Sequence, residues 1–243
     1  MKKLILVICL LPVMATAGEL LSGYYTEEEV RTFYPLDVSD QTIIRKSWYA
    51  GDRMLKDEQW QGKTIARFDK GMIYQLDQSS NSYVEISTQF LRNNASSGLS
   101  GFGVTDAKGR ISFPEDLFIR TESTKQIAKW NCYQVMTNPK YRTPEGPYVV
   151  FWYSEEVDFP VEVYGDQLKQ MFGNSAEVEQ FFDRIKKFEG YPVRTEAHDI
   201  INTYTTLMKI ERREDIDPAL FEIPDGYLGV PLPEDFPAEA GQP

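Results

Sequence analysis

The side chains that carry most enzyme chemistry are scarce in this chain. Its 243 residues include one histidine and two cysteines. Cys9 lies in an N-terminal apolar run that reads as a cleaved leader. That leaves Cys132 and His198 as the candidates for a thiol–imidazole pair, which works by holding a thiolate beside an imidazolium. Nothing in their spacing brings them together. Cys132 reads as a small buried hydrophobe, and His198 as a strand end in a polar turn with Asp199. A zinc set needs more clustered ligands than these two. Asp215 and Asp217 are one residue apart, yet no glycine-centred calcium loop follows; Asp217-Pro218 reads as a cap and turn. Glu155 and Glu156 would point to opposite faces of a strand, so they would not flank one bond as glycosidase carboxylates do. Neither a Gly-x-Ser-x-Gly elbow nor a phosphate-binding glycine loop occurs. The expectation is a protein that is not an enzyme and holds no metal and no cofactor.

Aromatic surface is plentiful instead: 14 Phe, 14 Tyr and 4 Trp. Such side chains build broad apolar walls. They could line a groove for acyl chains or fill the space between a sheet and its helices. The net charge of −11 repels nucleic acid phosphates and anionic membranes at long range. Nucleic acid is not an expected partner.

The elements that would position these side chains begin after residue 17. Lys2 and Lys3, the apolar run 4–11 and the small residues Ala15-Thr16-Ala17 have the form of a secretory signal, too short to span a bilayer. Cleavage after Ala17 would leave Gly18 first, with no cysteine to accept a lipid. The expected product is a soluble periplasmic protein without a membrane span. Residues 18–228 read as one β-rich domain, and 229–243, rich in proline and acid, as a disordered tail.

Residues 24–34 read as a short helix or extended arm, with Thr26 as cap and Glu27, Glu28 and Glu29 in the first turn. Period-two segments follow at 42–50, 63–69, 72–77 and 82–88, joined by short turns such as Gly51-Asp52 and Lys70-Gly71, which favour an antiparallel meander. Residues 92–109 have no clear period and read as a long loop. Strands resume at 118–122, 127–136 and 148–153, the last apolar on both faces and so expected to be central. Helices are expected at 166–172 and 175–188. The second has Ser175 as N-cap and an apolar stripe of Val178, Phe181, Phe182 and Ile185 that suits core packing. Strands at 191–197 and 203–211 close the domain.

The meander is expected to be covered on one face only. Parity then places Phe68, Tyr74, Leu76, Ile86, Trp130 and Trp152 on the concave, helix-covered side of one curved sheet, as the lining of an apolar groove.

The order of elements, and local runs within it, resemble the LolA-like superfamily of outer-membrane lipoprotein carriers, and most closely an uncharacterised bacterial branch. The runs are Trp48-Tyr49-Ala50-Gly51-Asp52-Arg53-Met54, Gly71-Met72-Ile73-Tyr74-Gln75-Leu76-Asp77, Trp130-Asn131-Cys132-Tyr133-Gln134-Val135, Gly190-Tyr191-Pro192-Val193-Arg194-Thr195 and Leu220-Phe221-Glu222-Ile223-Pro224-Asp225-Gly226-Tyr227. The resemblance implies an α+β fold: a curved antiparallel sheet, or half-barrel, wrapped around a few helices, with an apolar cavity that holds lipid. It transfers no catalytic residue. The expected function is a periplasmic, non-enzymatic binding or carrier protein for lipid or lipoprotein acyl chains. The alternative is an envelope interaction or sensor module with a filled core and a protein partner; a thiol-dependent enzyme is the remote third.

Overall fold

The structure, a computed structural model, describes residues 19–34, 40–93, 102–105, 111–142, 147–173, 175–199 and 201–232. Residues 1–17, expected as a leader, the residues beyond 232 and much of the expected 92–109 loop lie outside the described residues.

The chain forms β1 (Leu21–Phe33), β2 (Gln41–Ala50), β3 (Arg53–Glu58), β4 (Gly62–Arg67), β5 (Met72–Asp77) and β6 (Ser82–Ser87), then a short helix α1 (Thr88–Asn93). A two-stranded ribbon follows, β7 (Val104–Thr105) with β8 (Ile111–Ser112). Next come β9 (Phe118–Ile127), β10 (Trp130–Thr137) and β11 (Tyr148–Ser154), the helices α2 (Val161–Phe172) and α3 (Ala176–Ile185), then β12 (Tyr191–His198), β13 (Asn202–Ile216) and a short β14 (Leu228–Val230).

Twelve of these strands form one curved, unclosed sheet in the order β14-β6-β5-β4-β3-β2-β1-β13-β12-β11-β10-β9. Every pairing is antiparallel except β14 on β6, which makes the sheet mixed at that edge. The half-barrel with a few helices expected from the sequence is present.

The short helix α1 is unforeseen, and β14 pairs residues 229 and 230, expected in the disordered tail, with β6. Two longer elements also differ from expectation. Residues 21–33 form neither a helix nor an arm but a long strand, laddered on one side to β2 and on the other to β13. Two full ladders outweigh the weak helix preference of an acidic triplet, and Thr26, Val30 and Thr32 suit a pleated surface. Residues 53–58 form β3, unforeseen because its run of Arg, Lys, Asp and Glu hides the alternation. A two-residue turn, Gly51-Asp52, joins β2 to β3 and fixes the register Ala50 to Arg53.

The faces of the sheet are covered differently. α3 lies on β9–β11, where Val178, Phe181, Phe182 and Ile185 pack against Tyr133, Val135, Val149, Phe151 and Tyr153. Ser175 caps this helix, its side chain accepting from the Val178 N–H. β11 is buried on both faces, as its composition implies. The expectation that the meander is bare on one face fails. The turn Pro218–Phe221 and Tyr227 pack on its second face with Leu55, Ile65, Leu76 and Ile216. Arg67, 5% exposed, holds this C-terminal segment down through Asp69, Glu222 and the Phe221 carbonyl. At the β11–β12 corner Gly190 has φ +87°, and a Cβ there would come within 2.2 Å of the Ser154 carbonyl oxygen, so glycine is required.

Candidate functional site

Antiparallel pairing sorts the helix-covered face of β1–β5 into rows of directly opposed residues. Paired side chains on one face lie about 5 Å apart at Cβ, so each row is a physical neighbourhood. The first row runs Tyr24–Tyr49–Met54–Ala66–Ile73 and continues to Ile86 on β6. It is apolar throughout. The second is two residues further along each strand: Thr26–Ser47–Lys56–Thr64–Gln75. It is polar throughout. The third is charged: Glu28–Arg45–Glu58. One face therefore grades from hydrocarbon to hydroxyl and ammonium to ion pairs within three rows.

The apolar row is roofed by α1 and α2. Met54, Ala66, Ile73 and Ile86 are buried, and Phe68, Phe90, Leu91 and Met171 pack on them while staying partly exposed. Phe159, just before α2, meets Tyr24 edge-on at 4.9 Å between ring centroids, and Tyr49 at 6.0 Å. The Arg92 guanidinium ties α1 to α2 by donating to the Gln170 carbonyl. This roof differs from the one on β9–β11, where all four stripe residues of α3 are buried.

The polar row is incompletely satisfied. Thr26 and Ser47 are 1% and 0% exposed, and neither hydroxyl has a hydrogen-bond partner among the described residues. Lys56 beside them makes no ion pair within 4 Å among those residues. Burial, helped by the Arg45 guanidinium, pulls its ammonium below the ordinary lysine range. In the charged row, Arg45 Nε donates to Glu58 Oε1 at 2.5 Å and its Nη1 lies 3.5 Å from Glu28 Oε2. Four charges from Glu28, Arg45, Lys56 and Glu58 sum to zero.

The six residues expected to line one groove are not brought together. Phe68 and Ile86 do lie with the roofed apolar row. Tyr74 and Leu76 lie on the other face, under Phe221 and Tyr227. Trp130 and Trp152 have the parity opposite to Tyr133, Val135 and Tyr153 and so face away from α3; their cluster includes Phe159 and meets Tyr24 and, on α2, Val163, on the roofed side but apart from the cluster of Phe68 and Ile86. Trp152 is covered there by Lys125, whose ammonium stands 3.6 Å from the ring centroid, and donates from its indole N–H to Glu196. Parity grouped Tyr74 with Leu76 correctly, but it cannot say what covers a face, and on β5 the more apolar face meets the C-terminal segment instead of the helices.

Cys132 and His198 lie near opposite ends of β11: Tyr133 pairs with Tyr153, and Tyr148 with His198. The strand between spans about 20 Å, beyond any thiol–imidazole contact. His198 stacks on Tyr148 with centroids 4.4 Å apart. Glu155 and Glu156 sit in a turn, where Glu156 accepts from Asn131. Among the described residues no group of three or more His, Cys, Asp or Glu is placed to hold a metal ion.

Sequence reasoning missed Thr26, Glu28, Arg45, Ser47, Lys56 and Glu58 altogether. The period-two spacing of Tyr24, Thr26, Glu28 and Val30 was the available signal; assigning Thr26 as a helix cap concealed it.

Neither a protein-family model nor a curated protein matches the sequence. Solved structures similar to the chain do exist. PNGF-II is 10% identical over 86% of this chain, with a TM-score of 0.37, and the chain spans 31% of PNGF-II's length. A LolA superfamily protein from Nitrosomonas europaea is 10% identical at a TM-score of 0.35, covering 83% of this chain and 91% of that one. A DUF1329 family protein from Desulfovibrio piger is 11% identical at 0.27, covering 83% and 90%.

Proposed function

We propose that this is an exported, non-enzymatic binding or carrier protein for an amphiphile with acyl chains, taken up between the meander and its helical roof. One observation carries the proposal: the two halves of the sheet are sealed differently. Over β9–β11 the α3 stripe is wholly buried and the space is filled. Over β3–β6 the roof residues Phe90, Leu91 and Met171 remain partly exposed above a continuous apolar row. A roof whose contacting side chains stay partly exposed separates from its sheet at lower cost than a helix locked by four buried side chains. Each methylene buried there contributes about 0.8 kcal/mol. Among the described residues no helix is long and apolar enough to cross a membrane, which is compatible with a carrier that works in the periplasm after loss of residues 1–17.

A fluorescent fatty-acid probe tests the proposal. The intact protein should bind it. Leu91→Asp and Met171→Asp, at partly exposed roof positions, should each weaken binding at least tenfold, whereas Phe102→Asp, beside the filled half, should not. A wild-type protein that binds no acyl probe, and carries no lipid when purified from its native envelope and analysed by mass spectrometry, would be an interaction module instead.

A further inference from the structure

We infer that residues 228–232 form a displaceable strap over the β6 edge of the sheet, and that Leu232 plugs a lateral entrance to the apolar row beneath α1 and α2. The inference rests on the carrier proposal and names the route by which its ligand enters. The C-terminal chain passes around this edge from one face of the sheet to the other. Phe221 and Tyr227 pack on the second face with Leu55, Ile65 and Leu76. β14 then lies along β6, and Leu232 packs on the roofed face, against the cluster of Met54, Ala66, Ile73 and Ile86.

The start of this segment is held far more firmly than its end. Phe221 is 0% exposed, and Arg67 binds both its carbonyl and Glu222. Beyond that anchor the hold weakens. Gly226 has φ +86°, and a Cβ there would meet nothing within 4 Å, so no packing fixes the turn before β14. β14 is three residues long and makes the one parallel pairing among the described strands. Parallel pairs are slightly less stable per residue. Gly229 contributes no side chain, and Pro231 has no N–H to continue the ladder. Leu228 and Val230 are 72% and 41% exposed, so the strand buries little apolar surface of its own. Local opening costs least where few apolar contacts are buried.

Position makes the strap a gate. The unclosed sheet has two edges, β9 and β14. The β9 edge leads to the half filled by α3. The β14 edge leads to the roofed row, where Phe90, Leu91 and Met171 stay partly exposed. Val230 directly opposes Val84, a side chain packed on that same cluster, and Leu232 repeats its parity two residues on. Leu232 thus continues the row Met54–Ala66–Ile73–Ile86 past its last strand. None of residues 228–232 is charged, so the segment presents no barrier of charge to hydrocarbon. An acyl chain entering at this edge takes the place of Leu232 once the strap lifts, exchanging one apolar contact for another.

Stopped-flow uptake of the fluorescent fatty-acid probe by the full-length protein tests the strap, and the affinity reached at equilibrium tests the carrier proposal separately. Leu232→Ser removes the plug and should speed uptake about fivefold or more, since association is slowed where binding needs a conformational change. Val230→Cys with Val84→Cys puts a disulfide across directly opposed residues. Oxidised, this protein should take up the probe about fivefold or more slowly than when reduced. Cys132 is buried and stays out of the exchange. The reduced form of the same protein controls for folding and for the loss of Val84. Equal uptake rates in the oxidised and reduced forms, or in wild type and Leu232→Ser, overturn the strap and leave the carrier proposal standing. A wild type that binds no probe at equilibrium overturns both.

Discussion

Burial sets the behaviour of single residues more than their chemical type does. Cys132 is 3% exposed, packed between Trp130 and its neighbours with its Sγ 3.6 Å from the Trp130 carbonyl. Burial pushes its thiol up from the ordinary cysteine range, which disfavours the reactive thiolate. A thiol reagent should therefore label it only as fast as the protein unfolds. Cys132→Ser should lower stability by about 1–2 kcal/mol in urea unfolding, the cost of placing a hydroxyl where a soft sulfur fits. Fast labelling of the native protein would show that the site opens. The other cysteine, Cys9, lies outside the described residues. Thr26 and Ser47 show the converse: common polar residues become informative because the sheet buries them without partners.

The helices differ in capping and in burial. α3 has a cap, early acids Glu177 and Glu179 and a buried stripe. α2 begins after Pro160 with no side-chain cap. Ser175→Ala removes the acceptor of the Val178 N–H and should cost about 1 kcal/mol of global stability. Since α3 seals the filled half, acyl-probe affinity should stay within about twofold of wild type; a matching loss of affinity would mean that α3 belongs to the binding apparatus. The strands teach a second lesson. β2, β6, β11, β12 and α3 were legible because each carries a clean period or a fixed turn. β1 and β3 were not, because acidic and basic residues occupy positions that only the finished ladder reveals as one face.

Across the whole molecule, ion pairs tie turns and strand ends to the sheet. Arg67 holds Asp69 and Glu222 together beneath the C-terminal turn, and its two hydrogen bonds of 2.8 and 2.7 Å hold the Asp69 carboxyl below the usual carboxylate range. Asp77, Asp116, Glu156, Glu211 and Asp215 are depressed as well, Asp77 down to about 2 by the hydroxyls of Ser79 and Ser80. A carboxyl depressed in the fold contributes stability above its unfolded value of about 3.9 for Asp, and that stability is lost as pH falls through the folded value. The urea midpoint should thus fall steadily below about pH 4, beyond what net charge alone requires. Asp69→Asn should lower the midpoint at pH 7 and flatten its dependence below pH 4; an unchanged slope would place the acid sensitivity elsewhere.

By itself the sequence determined the class of the molecule: a meander, a helical insertion and closing strands, an α3 stripe bound for the core, and too few nucleophiles and ligands to point to catalysis. Those properties are local, since period, turn chemistry and composition act over a few residues. Tertiary structure alone decided which face of each strand meets the helices. Tyr74 and Leu76 went under the C-terminal turn and Ile73, on the opposite face of β5, under the roof. It alone put Thr26, Ser47 and Lys56, thirty residues apart along the chain from first to last, into one row. Register between strands is a long-range property, set by ladders and by what caps the opposite face, and no single segment contains it.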